Sequence, residues 1–194
     1  ANGKVFCGAD DGWVYALNAA DGSVAWKFKA APTDRKVLGN GRLISVWPVR
    51  GGVVYKDGKL YFAAGLWTLE GIFCYCLDAA TGTLGWKNDS VSGSVTLMQH
   101  SHDAPRGFPP QGSLVFSPDG NSLYVPAGMS DPAKLNPATG EILWWGSSGS
   151  KIYDNWGWYV DSTRTAAPAN GKTAASHWTE PASITVGVRT YTQA

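Results

Sequence analysis

Charge is scarce in this chain. Asp, Glu, Lys and Arg make up 16% of its 194 residues, against about 25% in an average soluble domain. The 16 basic and 15 acidic residues nearly cancel, leaving a formal net charge of +1. No basic run or acidic tail stands out. The electrostatic footprint of a nucleic-acid binder, or of a protein held on an anionic membrane surface, is missing, and no nucleic-acid partner is expected. No apolar run approaches the roughly 18 residues of a membrane span, so none is expected. Methionine occurs twice, and no segment carries the 3.6-residue periodicity of an amphipathic helix. The three cysteines, Cys7, Cys74 and Cys76, are an odd number and make no disulfide framework. There is no Cys-x-x-Cys-His haem motif, no phosphate-binding glycine loop and no Gly-x-Ser-x-Gly elbow. The chain opens on Ala1 without an apolar signal segment, which fits a mature chain, an excised fragment or the ordered part of something longer.

Glycine and tryptophan are abundant instead, with 24 and 10 copies. Many glycines, many aromatics and few charges point to short strands joined by tight turns. Self-similarity is the strongest signal. Leu17-Asn18-Ala19-Ala20-Asp21-Gly22 leads to Trp26. Leu77-Asp78-Ala79-Ala80-Thr81-Gly82 leads to Trp86. Leu135-Asn136-Pro137-Ala138-Thr139-Gly140 leads to Trp144. Each tryptophan falls four residues after its glycine, and the tryptophans are 60 and 58 residues apart. A similar apolar strand precedes each core: Val5-Phe6-Cys7, Leu60-Tyr61-Phe62 and Leu123-Tyr124-Val125.

Each part of the repeat has a physical reading. Asp-Gly or Thr-Gly supplies the backbone freedom of a hairpin turn. The side chain of Asn18, Asp78 or Asn136 can bond to the turn ahead of it. The tryptophan on the returning strand is large enough to fill the gap between adjacent sheets. Gly22, Trp26, Gly82, Trp86, Gly140 and Trp144 are therefore the candidate structural docking residues. The three tryptophans are expected to be largely buried, each costing about 3–5 kcal/mol on replacement by Ala. Strands such as 53–55, 60–63 and 114–116 are apolar on both faces, which suits a sheet sandwiched between neighbours. Cys74 and Cys76, two residues apart, should point to one face of a strand as small buried hydrophobes.

The turn-and-strand unit resembles the tryptophan-docking motif of quinoprotein-type β-propellers, read here over Ala16–Trp26, Cys76–Trp86 and Lys134–Trp144. The stretches 31–49 and 107–112 are similar to bacterial pyrroloquinoline quinone (PQQ)-like repeat proteins of unassigned activity. The resemblance covers about residues 1–146. It implies an all-β fold of four-stranded antiparallel blades, three to four of them, belonging to a larger ring. Residues 1–160 would hold the blades, with repeat cores near 3–30, 53–88 and 113–146. A fourth repeat is a candidate from Tyr153 onward. Residues 161–194 would form a polar loop and one terminal strand, in which Ile184, Val186 and Val188 alternate with Thr185, Gly187 and Arg189. The repeats are longer than the roughly 40–50 residues of a usual blade. Inserts at 31–50 and 87–112 account for the excess and are expected on one rim.

The same resemblance sets the functional expectations. The leading one is a non-catalytic scaffold or binding module, periplasmic or extracellular in a bacterium, whose partners are another protein or the remaining blades. The alternatives are the propeller portion of a PQQ- and calcium-dependent dehydrogenase, and a structural subunit of a larger envelope complex. No catalytic or cofactor-binding position of the family can be matched residue by residue, so PQQ and calcium follow from the resemblance alone.

Four local features carry chemistry of their own. His100, His102 and Asp103 form a ligand-like cluster, with a polar rim loop as the plainer reading. Asp34, Arg35 and Lys36 with Arg42 and Arg50 form a basic insert that could hold an anion or pair internally. Trp145, Trp156, Trp158 and Tyr159 make an aromatic group suited to core packing or to a binding surface. Asn88-Asp89-Ser90 matches a glycosylation sequon.

Overall fold

A computed structural model describes residues 1–39, 41–67, 70–90, 95–97, 103–105, 112–126, 133–145, 183–186 and 189–192. Every regular element of four residues or more among them is a strand. In the first sheet, β1 (Lys4–Gly8), β2 (Trp13–Asn18) and β3 (Val24–Lys29) follow in order. A hairpin of β4 (Lys36–Gly39) and β5 (Arg42–Ser45) comes next. The second sheet is β6 (Val54–Lys56), β7 (Lys59–Ala64), β8 (Phe73–Asp78) and β9 (Leu84–Asn88). After the short pair β10 (Val95–Leu97) and β11 (Asp103–Pro105), the third sheet is β12 (Val115–Phe116), β13 (Leu123–Val125), β14 (Ala133–Leu135) and β15 (Ile142–Trp145). All pairings are antiparallel between sequence neighbours.

Near the C-terminus the expected single strand is corrected. Ser183–Val186 (β16) and Arg189–Thr192 (β17) pair antiparallel with each other. Gly187, Val188 and the stretch 161–182 lie outside the described residues.

The core is built by alternation. In β7, Leu60, Phe62 and Ala64 enter one cluster with Val14 and Phe28 of the first sheet. Tyr61 and Ala63, between them, enter another with Leu123, Val125 and Leu135 of the third sheet. β8 does the same, sending Tyr75 and Leu77 one way and Cys74 and Cys76 the other. The middle sheet is thus buried on both faces. This is why its strands read as continuous apolar runs rather than as alternating ones.

The first insert is pinned to the end of the sheets that carries the β1–β2 turn. Ser45 N–H donates to Asp10 O at 2.7 Å and Val49 N–H to Ala9 O at 3.0 Å. Gly65 N–H, in the β7–β8 connection, donates to Pro48 O at 3.1 Å. Trp47 is buried there, and its indole N–H donates to Glu70 O at 2.6 Å. The two inserts meet where they re-enter the sheets, since a Cβ on Gly51 would lie 2.2 Å from Gly112 O. Only backbone can pass so closely.

Candidate functional site: tryptophan seats between sheets

Each sheet ends in the same turn. Gly22, Gly82 and Gly140 have φ of 73°, 75° and 76°, the left-handed region that glycine enters without a Cβ penalty. Their N–H groups each donate at 2.8 Å to the carbonyl four residues back, on Asn18, Asp78 and Asn136. A register shift precedes each turn, at Ala16/Leu17, Cys76/Leu77 and Lys134/Leu135. Such a bulge bends the strand and sharpens its twist. The side chains that support the turn differ. Asp78 Oδ1 accepts from Ala80 N, Thr81 N and Thr81 Oγ1 at 3.0, 2.9 and 2.8 Å. Asn136 Oδ1 accepts from Ala138 N at 2.9 Å. Asn18 instead donates to Ser23 Oγ at 2.9 Å, and Asp21 takes over the capping by accepting from Ser23 N at 3.0 Å. The hydrogen bonds from Thr81 hold the Asp78 carboxyl below its usual range.

The tryptophan of one sheet lies on the turn of the next. A Cβ on Gly82 would come within 2.8 Å of Trp26 Cδ2 and Cε3. The Trp26 indole N–H donates to Ala79 O at 3.2 Å. One repeat later, a Cβ on Gly140 would come within 2.4 Å of Trp86 Cε3, and the Trp86 indole N–H donates to Pro137 O at 2.9 Å. Glycine therefore does two things at these positions. It adopts the left-handed turn, and its missing Cβ leaves a flat seat for the ring. Ala79 and Pro137 stand three residues before their glycines, and only their carbonyls are used. Sequence patterns cannot mark a backbone acceptor, so nothing in the sequence points to them.

Trp26 and Trp86 are mostly covered at these junctions, and each keeps a minor part of its surface exposed. Their seats are turns at the ends of the sheets, so the indole closes the edge of each interface rather than filling its centre. Phe6 at 5.9 Å and Tyr61 at 6.1 Å, centroid to centroid, cover part of the two rings. Trp144 pairs through its backbone with Lys134, and its side chain lies outside the described residues.

The charges of the basic insert are paired, mostly with acidic residues from outside it. Asp10 accepts from Arg42 at 2.5 Å and Arg50 at 2.6 Å, Lys29 meets Asp34 at 2.6 Å, and Arg35 pairs with Glu70. The Arg50 hydrogen bond holds the Asp10 carboxyl below its ordinary range; desolvation opposes it, and the Arg42 hydrogen bond adds to it. The sequon asparagine is engaged at both ends. Asn88 Nδ2 donates to Gly140 O at 2.6 Å and Oδ1 accepts from Ser90 N at 2.9 Å, which favours a structural role for it. His100, His102, Trp156, Trp158 and Tyr159 lie outside the described residues. So does the side chain of Trp145. Asp103 is placed in β11 by its backbone opposite Leu97. Burial pushes the Cys74 thiol up to about 12, away from thiolate chemistry.

A calcium-held PQQ would need a group of acidic or amide side chains around the metal. Among the described residues, no three His, Cys, Asp or Glu side chains come together as a metal site. Asp21, Asp78 and Asp119 are spent on turns, each accepting from the residues just after it. None of these described carboxylates is grouped to hold a calcium ion.

Face-to-face antiparallel sheets in sequence order, joined edge to edge by one repeated turn contact, are the blades of a β-propeller. The model of the family described as outer membrane protein assembly factor BamB matches residues 10–104 and 71–190, and the chain belongs to this PQQ-like propeller family. The chain is 25% identical over 146 residues to tetrathionate hydrolase of Acidithiobacillus ferrooxidans, covering 74% of this chain and 26% of that one. It is 28% identical over 186 residues to the dehydrogenase subunit of the quinone alcohol dehydrogenase of Gluconacetobacter polyoxogenes, covering 74% and 24%. Among solved structures, it resembles a europium-containing methanol dehydrogenase with a TM-score of 0.56 at 17% identity, over 89% of this chain and 35% of that one. BamB from Moraxella catarrhalis gives 0.51 at 18% identity, over 75% and 35%. The chain thus spans 24% to 26% of the length of the curated relatives it matches.

Proposed function

We propose that this chain is part of a PQQ-like propeller that serves as a rigid binding scaffold in the bacterial envelope, periplasmic or extracellular, with a protein as its partner. The observation that carries this reading is the β4–β5 hairpin. Leu38 and Leu43 face each other across it and are 74% and 69% exposed, with Val37 beside them at 43%. Exposed apolar side chains grouped on a firmly held element are the usual mark of a protein contact. The hairpin is held by the Ser45, Val49 and Trp47 bonds given above. Gly22, Trp26, Gly82, Trp86, Gly140 and Trp144 would be structural in this reading, docking blade to blade and fixing the platform that displays the hairpin.

The second reading is the propeller portion of a quinoprotein dehydrogenase, favoured by the 186-residue matches to quinone alcohol dehydrogenase subunits. Equilibrium dialysis against PQQ with calcium, followed by an absorbance scan, separates the two. No retained quinone is the expected result. Stoichiometric retention would replace the scaffold reading with the oxidoreductase one. A photo-crosslinker placed at Leu38 should give a discrete protein adduct in a bacterial envelope extract, and Leu43→Asp should abolish it.

A further inference from the structure

The β4–β5 hairpin carries a bare backbone edge. Val46 N–H donates to Arg35 O at 3.1 Å, so Arg35 and Val46 form a hydrogen-bonded pair just before the ladder. Bonded and non-bonded pairs alternate along antiparallel strands. Val37 with Ile44 and Gly39 with Arg42 are therefore bonded pairs, while Lys36 with Ser45 and Leu38 with Leu43 are not. The N–H and C=O groups of a non-bonded pair point away from the partner strand. On β5 the consequence is visible, because Ser45 N–H turns outward and donates to Asp10 O at 2.7 Å. On β4 the outward groups belong to Lys36 and Leu38. Among the described residues, β4 pairs with β5 and no other strand, and no backbone group outside the hairpin bonds to Lys36 or Leu38.

An edge of this kind is a template for a further strand. Proteins commonly blunt such edges with a lysine, and Lys36 is one. The side chains beside it work the other way. Leu38, two residues on and on the same face, is 74% exposed, and Val37 on the opposite face is 43% exposed.

The charge around the edge decides what it can accept. Lys29, Arg35, Lys36, Arg42 and Arg50 stand against Asp10, Asp34 and Glu70, an excess of positive charge. Each of these acids is already taken. Asp34 pairs with Lys29, Glu70 with Arg35, and Asp10 with both Arg42 and Arg50. Lys36 is exposed and exerts a weaker pull on Asp34, but makes no ion pair among the described residues.

We infer that the outer edge of β4 accepts an extended segment of another protein as an added antiparallel strand, with a carboxylate side chain opposite Lys36 and apolar ones opposite Val37 and Leu38. This rests on the scaffold reading, which places a protein partner at the hairpin, and it specifies how that partner is held. The N–H and C=O groups of Lys36 and Leu38 supply the attachment, as in other strand additions. Leu38 and Val37 supply one apolar contact on each face. Lys36 selects against segments that lack the carboxylate or bring a cation. Read from its N-terminus, the segment is apolar, apolar, acidic.

The probe is the acetylated peptide amide Thr-Thr-Val-Val-Glu-Thr-Thr, titrated into the 194-residue chain and followed by amide nitrogen–proton spectra. The expected result is a saturable shift centred on the amides of Lys36, Val37 and Leu38. N-methylation of the first valine or of the glutamate, whose N–H groups face β4 in the added strand, should weaken binding about tenfold. N-methylation of the second valine, whose N–H faces away, should leave it within about twofold. Lys36→Glu should weaken the peptide about fivefold, and Thr-Thr-Val-Val-Lys-Thr-Thr should restore binding to that variant. No saturable shift at β4 overturns the inference. So does binding that is equally sensitive to methylation on either edge, which is docking through side chains alone. Either result leaves intact a crosslinked adduct from position 38 that Leu43→Asp abolishes, and with it the scaffold reading. A missing adduct sinks the scaffold reading whatever the peptide does, so the two failures are told apart.

Discussion

Alanine placed at Gly22, Gly82 and Gly140 in turn separates backbone strain from the tryptophan contact. The three φ values span only 73° to 76°, so the cost of a left-handed alanine is common to all, about 1 kcal/mol. What differs is the space above the residue. At Gly22 the new methyl meets nothing within 4 Å, at Gly82 it meets the Trp26 ring at 2.8 Å, and at Gly140 the Trp86 ring at 2.4 Å. Those rings must lift, stretching the indole bonds to Ala79 O and Pro137 O. Overpacking of this kind costs about 1–3 kcal/mol more. Gly22→Ala should therefore lose about 1 kcal/mol, with Gly82→Ala at about 2–3 and Gly140→Ala at about 3–4 kcal/mol. Urea melts followed by circular dichroism measure this directly. Equal losses at the three sites, within about 0.5 kcal/mol, would refute the seat argument.

Further outcomes follow from the same geometry. Trp86→Ala should cost about 4 kcal/mol: roughly two thirds of a roughly 200 Å² side chain at about 25 cal/mol per Å², plus about 1 kcal/mol for the Pro137 bond. Trp86→Phe should recover most of the area and leave a deficit near 1 kcal/mol, and urea midpoints distinguish the two. In native protein, Ellman's reagent should label Cys7 alone, since Cys74 and Cys76 are buried and burial raises both thiols; three thiols should react in denaturant, and rapid labelling of more than one in native protein would contradict the two-sided core. The Asp10 carboxyl is depressed by Arg50 and Arg42. Its contribution is therefore complete above the unfolded value near 3.8 and is lost as pH falls through the lower folded value. Asp10→Asn should flatten that part of an acid titration of stability and cost under about 1 kcal/mol at neutral pH.

The repeat was legible because its chemistry is local. A glycine that must turn left and a tryptophan four residues on are visible in one dimension, and so is the two-residue spacing that sends Cys74 and Cys76 to one face. Two-faced burial of the middle sheet was legible for the same reason, in the unbroken apolar run Leu60-Tyr61-Phe62-Ala63. What escaped was whatever depends on a distant backbone. The carbonyls of Ala79 and Pro137 carry no sequence signature. The edge of Trp26 and Trp86 that stays exposed depends on where the receiving turn sits relative to the interface. The stretch 31–50 reads as a basic insert because its arginines are conspicuous. Its shape is instead set by Ile44, Val46 and Trp47, which are buried, while Asp10 and Glu70 from elsewhere neutralise the charges.

That division bears on function. Because alternate residues of β7 and β8 belong to different clusters, the second sheet cannot shift toward one neighbour without opening a gap on the other. Close-packed interiors resist such gaps at about 20 cal/mol per Å² of cavity surface. The strap at 44–50 is bonded to both the first and second sheets, through Ala9, Asp10 and Gly65, so it inherits their rigidity. The exposed Leu38 and Leu43 are then presented on a short hairpin with little freedom to lose when a partner lands. Preorganisation of that kind strengthens binding by lowering its entropic cost rather than by adding contacts. Loosening the strap while leaving the two leucines in place should weaken the contact through Leu38 and Leu43. Trp47→Ala, which removes the buried indole and its bond to Glu70, does this. The crosslinked adduct from position 38 should fall in yield with Trp47→Ala although no contacting residue has changed. An undiminished yield would mean that the hairpin binds as a flexible arm.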